Sequence, residues 1–546
     1  MAYRRSGFFL SFCLLLCVIP VQAQDAWQTA RVHAGQANEA FLRSELNTAA
    51  WLRYVDPISK LLPDNFRSPI YTPENYAADN YPFMICTSYI TRPERLTGIF
   101  RTQLQQEMQL TTLPGGLPTW FNLETQMTVP AKRSGIFSGS EYVKDGLVAI
   151  CELIGDSPWY DRSVQLIDAV MKHAATPSKR GMLPDPGCEV NGEMLQVLTR
   201  FYWKTRDAKY LVMAVRIGDA YCYDQLPNSG YVPIYEWDFM TNTGERIARL
   251  NDHGTEIIGG LTLLYATLKI VAPEKAETYY EPLSKMLKTV AEVGFNEDGM
   301  MKHTFNLDTG EILRPGYTDN WGYNYMAWLN FAMATGDRQW EQPVRHALKN
   351  LHKYRNYRWE HRGETGQSHD GYADSIEGAM NLLNRVDVPA AWDWVDSEMQ
   401  VMYGFQQEDG RIESWHGDGN FSRTALMYGL YKTQGVRLSN WHPGLQFGAV
   451  RDGDKLYLHL ESDSDWHGTV QFDYARHNKM WSLPHNWPRL NEFPEWYTLE
   501  PMIWYRIHEN DGVESVRQLG AHMVEGIPMS LRAGVPVRWM VEAAAK

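Results

Sequence analysis

Few of the signatures of metal, nucleotide or nucleic-acid chemistry occur in this 546-residue sequence. Cysteine is scarce: there are six, and Cys13 and Cys17 lie in the first 23 residues. The others, Cys86, Cys151, Cys188 and Cys222, have spacings that match no zinc pattern. Cys86 and Cys151 sit inside apolar helical runs and read as small buried hydrophobes. No His-Glu-x-x-His helix, nucleophile elbow or phosphate-binding loop is present, so no metal or cofactor is expected. Basic charge is also in short supply. The net charge of −13 argues against nucleic acid as a partner, because phosphate binding needs a basic surface. It does not exclude an anionic sugar, since a few arginines can dominate a cleft. Beyond the amino terminus no run is long and apolar enough to cross a membrane.

The amino terminus reads as a secretory signal. Arg4 and Arg5 are followed by an apolar stretch from Gly7 to Ile19 and by Val21-Gln22-Ala23. Cleavage is expected after Ala23, giving a secreted or periplasmic protein without membrane insertion. The apolar stretch, of about 13 residues, is too short to span a bilayer. Leu16 before Cys17 is too bulky for a lipid-attachment site. Hydrophobic residues make up 44% of the chain, so disorder is not indicated. The 20 tryptophans and 30 tyrosines suit both helix packing and stacking against sugar rings.

One pattern recurs along the chain: a carboxylate or amide, then an apolar helical run, a Gly/Asp turn and a second helix. It appears at 79–84, 141–147, 189–195, 252–258, 319–325, 374–380 and 418–424. The spacing of roughly 45–65 residues is that of a helical hairpin with its loops. The apolar helix of each pair should form an inner wall and the amphipathic one an outer wall. Six inner helices have an obvious partner. The seventh, Phe421 to Tyr431, could pair with the N-terminal helix expected over 27–60. A mainly α (α/α)6 or (α/α)7 toroid is therefore expected over 24–440, with polar helix starts gathered at one rim. From Trp441 the pattern changes to strands at 455–460, 469–472 and 534–541, which predicts a β-sandwich over 441–546.

A signal segment, a toroid of hairpins and a C-terminal β domain together resemble α/α-toroid carbohydrate-active enzymes. These include uronic-acid-releasing glycoside hydrolases such as β-glucuronidases and unsaturated glucuronyl hydrolases, and toroidal polysaccharide lyases. The resemblance lies in architecture and implies a polysaccharide or oligosaccharide substrate.

Glycoside hydrolysis needs one carboxylic acid to protonate the leaving oxygen and one carboxylate to activate water or attack. Glu193, Asp252 and Asp374, on different inner helices, are the acid/base candidates, with His253 beside Asp252. Asp252 could equally be a helix cap. Glu193 stands i+4 from Glu189, and Glu377 i+3 from Asp374 on one helix face. Trp415 can stack on a sugar, and His416 and Arg423 can bind a carboxylate. Asp79, Asn191, Tyr317, Asp319, Tyr323, His369 and Glu377 complete the candidate substrate-binding rim. The leading expectation is an exported hydrolase of uronic-acid-containing saccharides. A lyase using His253, Tyr317, Tyr323 and Asn191, or a glycan-binding protein without activity, are the alternatives.

Overall fold

The computed structural model describes residues 21–359, 369–412, 417–510, 512 and 515–544. The apolar stretch of the expected signal, Trp415, His416 and the side chains of Asp252 and His253 lie outside the described residues.

The longer helices are α1 (Val21–Trp51), α2 (Tyr81–Thr91), α3 (Ile99–Leu110), α4 (Gly135–Glu141), α5 (Val148–Ile154), α6 (Pro158–Lys172), α7 (Cys188–Thr205) and α8 (Ala208–Asp219). They continue as α9 (Glu256–Val271), α10 (Pro273–Gly294), α11 (Trp321–Thr335), α12 (Gln342–Asn350), α13 (His369–Leu383), α14 (Ala391–Tyr403), α15 (Asn420–Lys432) and α16 (Arg476–Trp481). Among the described residues the inner wall is a closed ring of seven. Helix α2 packs on α5, the α4–α5 unit on α7, and then α7 on α9, α9 on α11, α11 on α13, α13 on α15, and α15 back on α2. Helix α1 lies against α15 and supplies the seventh pair. The inner helices are buried on nearly every side: every residue of α11 from Trp321 to Ala332 is buried. Outer helices such as α6 bury one stripe, at Trp159, Leu166, Ile167 and Val170.

Glycine sets how closely the inner helices meet. Gly322 and Gly378 face each other, and a Cβ on Gly378 would lie 2.8 Å from the Gly322 Cα. A Cβ on Gly192 would run into the Glu256 backbone. With no side chain between them, these helices draw together and their polar starts converge.

Two π-type turns belong to the ring helices: Pro73–Asn80 leads into α2, and Tyr142–Leu147 joins α4 to α5. The second holds Lys144 and Asp145 at the pit. An extra residue per turn re-aims side chains, a recurrent device at functional sites.

The strands are β1 (Ile70–Tyr71), β2 (Trp120–Asn122), β3 (Met127–Val129), β4 (Ile247–Arg249), β5 (Lys302–Asn306), β6 (Ile312–Tyr317), β7 (Arg437–Leu438), β8 (Leu445–Asp452), β9 (Lys455–Ser462), β10 (Trp466–Gln471), β11 (Trp504–Glu509), β12 (Ser515–Leu519), β13 (Ile527–Leu531) and β14 (Val537–Ala543). Two small sheets, β1-β2-β3 and β4-β5-β6, arise from connections between ring helices. The C-terminal region forms a five-stranded sheet, β12-β11-β14-β9-β8, and a three-stranded one, β13-β10-β7. Their pairings are antiparallel. Helix α1 carries a stripe of buried alanines, Ala30, Ala34, Ala37 and Ala40, and packs on β8 and β9 as well as on the ring. Gly448 of β8 lies directly against the α1 backbone at His33–Ala34.

The connection from α16 to β11 is irregular and reaches back into the ring. Arg489 Nε pairs with Glu152 Oε1 at 2.8 Å, and Arg200 reaches the same oxygen at 3.1 Å. Arg385 pairs with Glu492 at 2.7 Å, and Asn330 donates to the Pro488 carbonyl at 3.0 Å. Residues 487–495 thus cross the ends of the inner helices opposite their polar starts. They place Leu490 and Asn491 at the bottom of the central pit.

Candidate active site

The pit encloses about 300 Å³. One wall carries Asp370 and Asp374 from α13, with Asp418 and Arg423 from the entry to α15. Another carries Glu141, Lys144 and Asp145, and Glu189 and Glu256 also line it. In ring order, α13 and the Tyr142–Leu147 turn stand on opposite sides.

Arg423 organises the first wall. It reaches Asp374 Oδ1 at 2.5 Å and Glu377 Oε2 at 2.8 Å. Tyr323 donates to the same two carboxylates, at 2.9 and 2.5 Å, and Asn320 Nδ2 donates to Asp374 Oδ2 at 3.0 Å. Burial raises the Glu377 carboxyl to about 7, with Arg423 and Tyr323 pulling the other way. Burial also raises Asp374 against the opposing pull of Arg423. Asp370, one turn before Asp374, accepts from Asn420 Nδ2 at 2.8 Å. Burial, then the charges of Asp418 and Asp374, push its carboxyl well above the usual range. That is the setting of a carboxylic acid that keeps its proton. The Tyr323 phenol is likewise driven far up by burial, so it serves as a donor and not as a base.

On the other wall Lys144 donates to both Asp145 oxygens, at 2.6 and 2.7 Å, and to Glu256 Oε1 at 2.8 Å. Burial alone would lower the Lys144 ammonium, but Asp145 and Glu256 hold it well above its ordinary value. Burial raises Glu256 to about 7 despite that ammonium. Gln196 donates to its other oxygen.

Asn491 joins the walls. Its Nδ2 donates to Asp145 Oδ1 at 2.5 Å, its Oδ1 accepts from Arg423 Nη1 at 3.1 Å, and its backbone N–H donates to Glu377 Oε1 at 3.2 Å.

Glu141, Glu189 and Glu193 form a buried trio whose oxygens lie within 4.8 Å of one another. Such a cluster is satisfied by a shared proton or by a cation. Burial, then the charge of Glu193, push Glu141 well up, which favours the proton.

Of the residues the sequence pointed to, Asp79, Tyr323, Asp374 and Arg423 line the pit. Glu377 is fully buried behind them against Arg423, and Glu193 is fully buried behind Glu141 and Glu189. His369 is buried 3.3 Å from Asp418. Asn191 and Asp319 do not line the pit: Asn191 donates to the Asp185 and Gly187 carbonyls, and Asp319 receives the Asn320 N–H. Tyr317 packs on Tyr354 and Tyr357, away from the pit lining. Asp252 and His253 begin a short 3-10 turn, and Gly254 there lies against the Arg249 carbonyl. Sequence reasoning did not single out Asp145, Asp370, Lys144 or Asn491 as site residues. The i, i+4 spacing of Asp370 and Asp374 was a usable signal. Nothing marked Asn491, more than a hundred residues from the ring helix carrying Glu377.

No family model matches the sequence, and no curated protein does. Solved structures similar to it include an inactive variant of an α-1,6-mannanase from Salegentibacter sp. bound to α-1,6-mannotriose. That chain is 14% identical, with 60% of this chain and 96% of that one covered and a TM-score of 0.43. A cellobiose 2-epimerase from Bacillus thermoamylovorans is 12% identical, over 61% of this chain and 98% of that one, with a TM-score of 0.43. An unsaturated glucuronyl hydrolase from Bacillus sp. is 13% identical, over 55% and 87%, with a TM-score of 0.39. Likeness this low carries no argument about what this chain acts on.

Proposed function

We propose that this protein is an exported glycoside hydrolase that removes a terminal pyranose from a saccharide or glycoside. The observation that carries the reading is the pair of unlike carboxyls facing one pit. Asp370 is held protonated by burial and by neighbouring carboxylates, which suits the general acid. Asp145 accepts from an ammonium and an amide, which suits the carboxylate that activates water or attacks. Asp374, fixed by Arg423, Tyr323 and Asn320, orients the wall between acid and substrate. The floor at Leu490 and Asn491 makes the pit blind, and a blind pit suits a chain end better than a chain interior.

Electrostatics favour a neutral sugar over a uronic acid. Among the described residues nine acidic and four basic side chains line the pit, and two of the cations, Lys144 and Arg423, are each shared by two carboxylates. Of the other two, Arg133 already lies 3.6 Å from Glu189, and Arg249 stacks 4.6 Å over the Tyr235 ring.

The test is turnover of paired neutral glycosides and uronides, read by released reducing ends and by the ultraviolet band that elimination would create. Neutral glycosides are expected to be cleaved faster, with no such band. Asp370→Asn and Asp145→Asn should each lower kcat by about 10²–10⁴-fold with the melting temperature retained. Wild-type turnover in either variant would remove that residue from the mechanism. Export predicts Gln24 as the first residue of the secreted protein, read by N-terminal sequencing.

A further inference from the structure

A second cavity of about 850 Å³ adjoins the pit, and its chemistry is the opposite. Its walls include Pro186, Tyr235, Trp237, Met240, Ile247 and Leu313. Met240 and Leu313 are about half exposed, at 50% and 45%, so apolar surface stands in water there. The surface is built. Asp238 Oδ1 accepts from the Met240 and Thr241 N–H groups at 2.8 and 3.0 Å, fixing the turn that carries Met240. Ile247 and Leu313 stand on β4 and β6, strands of one sheet.

The two cavities share a partition. Arg249 lines both, and its guanidinium lies 4.6 Å over the Tyr235 ring. Tyr235 Oη donates at 2.9 Å to Glu189, which lines the pit. One side chain therefore ties the acidic chamber to the apolar one.

We infer that the apolar groove seats the leaving group of the same substrate, and that it selects leaving groups with a broad apolar face. This rests on the hydrolase reading. A pit this small and acidic holds the sugar whose bond is cut, and what lies beyond that bond passes Arg249 and enters the groove. The acids among the described residues of the groove's lining, Glu236, Asp238 and Glu245, oppose an anionic leaving group. An aromatic aglycone and the C–H face of a second neutral pyranose share the chemistry the groove recognises.

The experiment uses the full chain and neutral pyranosides in three forms: methyl, 4-nitrophenyl and disaccharide. Saturation-transfer NMR reads which protons contact the protein, and kinetics read kcat/KM. The expected result is strong transfer to the nitrophenyl or second-sugar protons. Leu313→Asp should weaken binding of those two forms at least fivefold and leave the methyl glycoside unchanged. Met240→Asp, on the opposing turn, should do the same, so misfolding of one variant does not decide the matter. The nitrophenyl and disaccharide arms tell an aromatic leaving group from a sugar. If both variants reduce all three forms equally, or neither changes the ratio between them, the groove is not the leaving-group seat. Asp145→Asn separates this from the catalytic reading: it should lower kcat by about 10²–10⁴-fold on all three forms and keep the nitrophenyl contacts. Contacts without turnover in the wild type would sink the hydrolase and spare the groove.

Discussion

At the scale of single residues, the site works by placing acids where charge is costly and then compensating some of them and not others. Glu377 is the clearest case. It is fully buried, and its carboxyl is raised to about 7 from an ordinary 4.5. A group raised in the folded state adds stability that is fully present below about 4.5. That stability is lost as pH rises through about 7. Glu377→Gln should therefore flatten the decline in melting temperature between those pH values. A slope identical to wild type would show that Glu377 ionises as it does in the unfolded chain. Asp370 makes the matching prediction for activity. Because its carboxyl must be protonated to donate, kcat/KM should fall on the alkaline side, at a pH well above the usual carboxylate range. The pH–rate profile checks it, and an alkaline limb below about pH 5 would exclude Asp370 as the acid.

At the scale of elements, the inner helices were legible in the sequence and their spacing was not. Each inner helix announces itself by a polar start followed by an apolar run, as at Asp319-Asn320 before Trp321. Asp374 and Arg423 were legible for the same reason, since both sit within the first two turns of such helices. Asp145 was not, because it depends on a π-type turn, and a one-residue shift in helical phase leaves no compositional trace. Nor was Asn491, since its role depends on long-range threading and not on local pattern. The close approach of helices at glycine is likewise visible only in three dimensions, and it has a measurable consequence. Gly322→Ala would push a methyl into α13 at Gly378, 2.5 Å away, and should cost about 1–3 kcal/mol. Gly259, also inside an inner helix, has nothing within 4 Å of its Cβ position. Gly259→Ala should instead stabilise by about 0.5–1 kcal/mol through helix propensity. Urea denaturation of the pair gives both signs in one experiment, and equal effects would mean that the ring glycines are not spacers.

At the scale of the whole molecule, ring and C-terminal strands share one core. A single cluster of buried side chains runs from Phe41 and Trp51 through the inner helices to Leu445, Phe447 and Val541. The connection at 487–495 makes the same link with charge. Glu152 is fully buried and its carboxyl is lowered overall, burial being outweighed by Arg489 and Arg200. Arg489 also holds Glu492, which pairs with Arg385 beyond α13. Removing one partner of a buried pair leaves an uncompensated charge, at about 3–5 kcal/mol. Arg489→Met should cost less than that, since Arg200 still holds Glu152 and Arg385 still holds Glu492, and should also lower activity, because Asn491 two residues away spans Asp145 and Arg423. Adding Glu152→Gln should cost more again, because the buried Arg200 then loses its carboxylate, and should leave activity low while Asn491 stays displaced. Fluorescence and circular dichroism should report one coincident unfolding transition in every variant. A separate early transition in the strands of 437–543, with ring and activity intact, would show that the C-terminal region is an appendage and not the floor of the site.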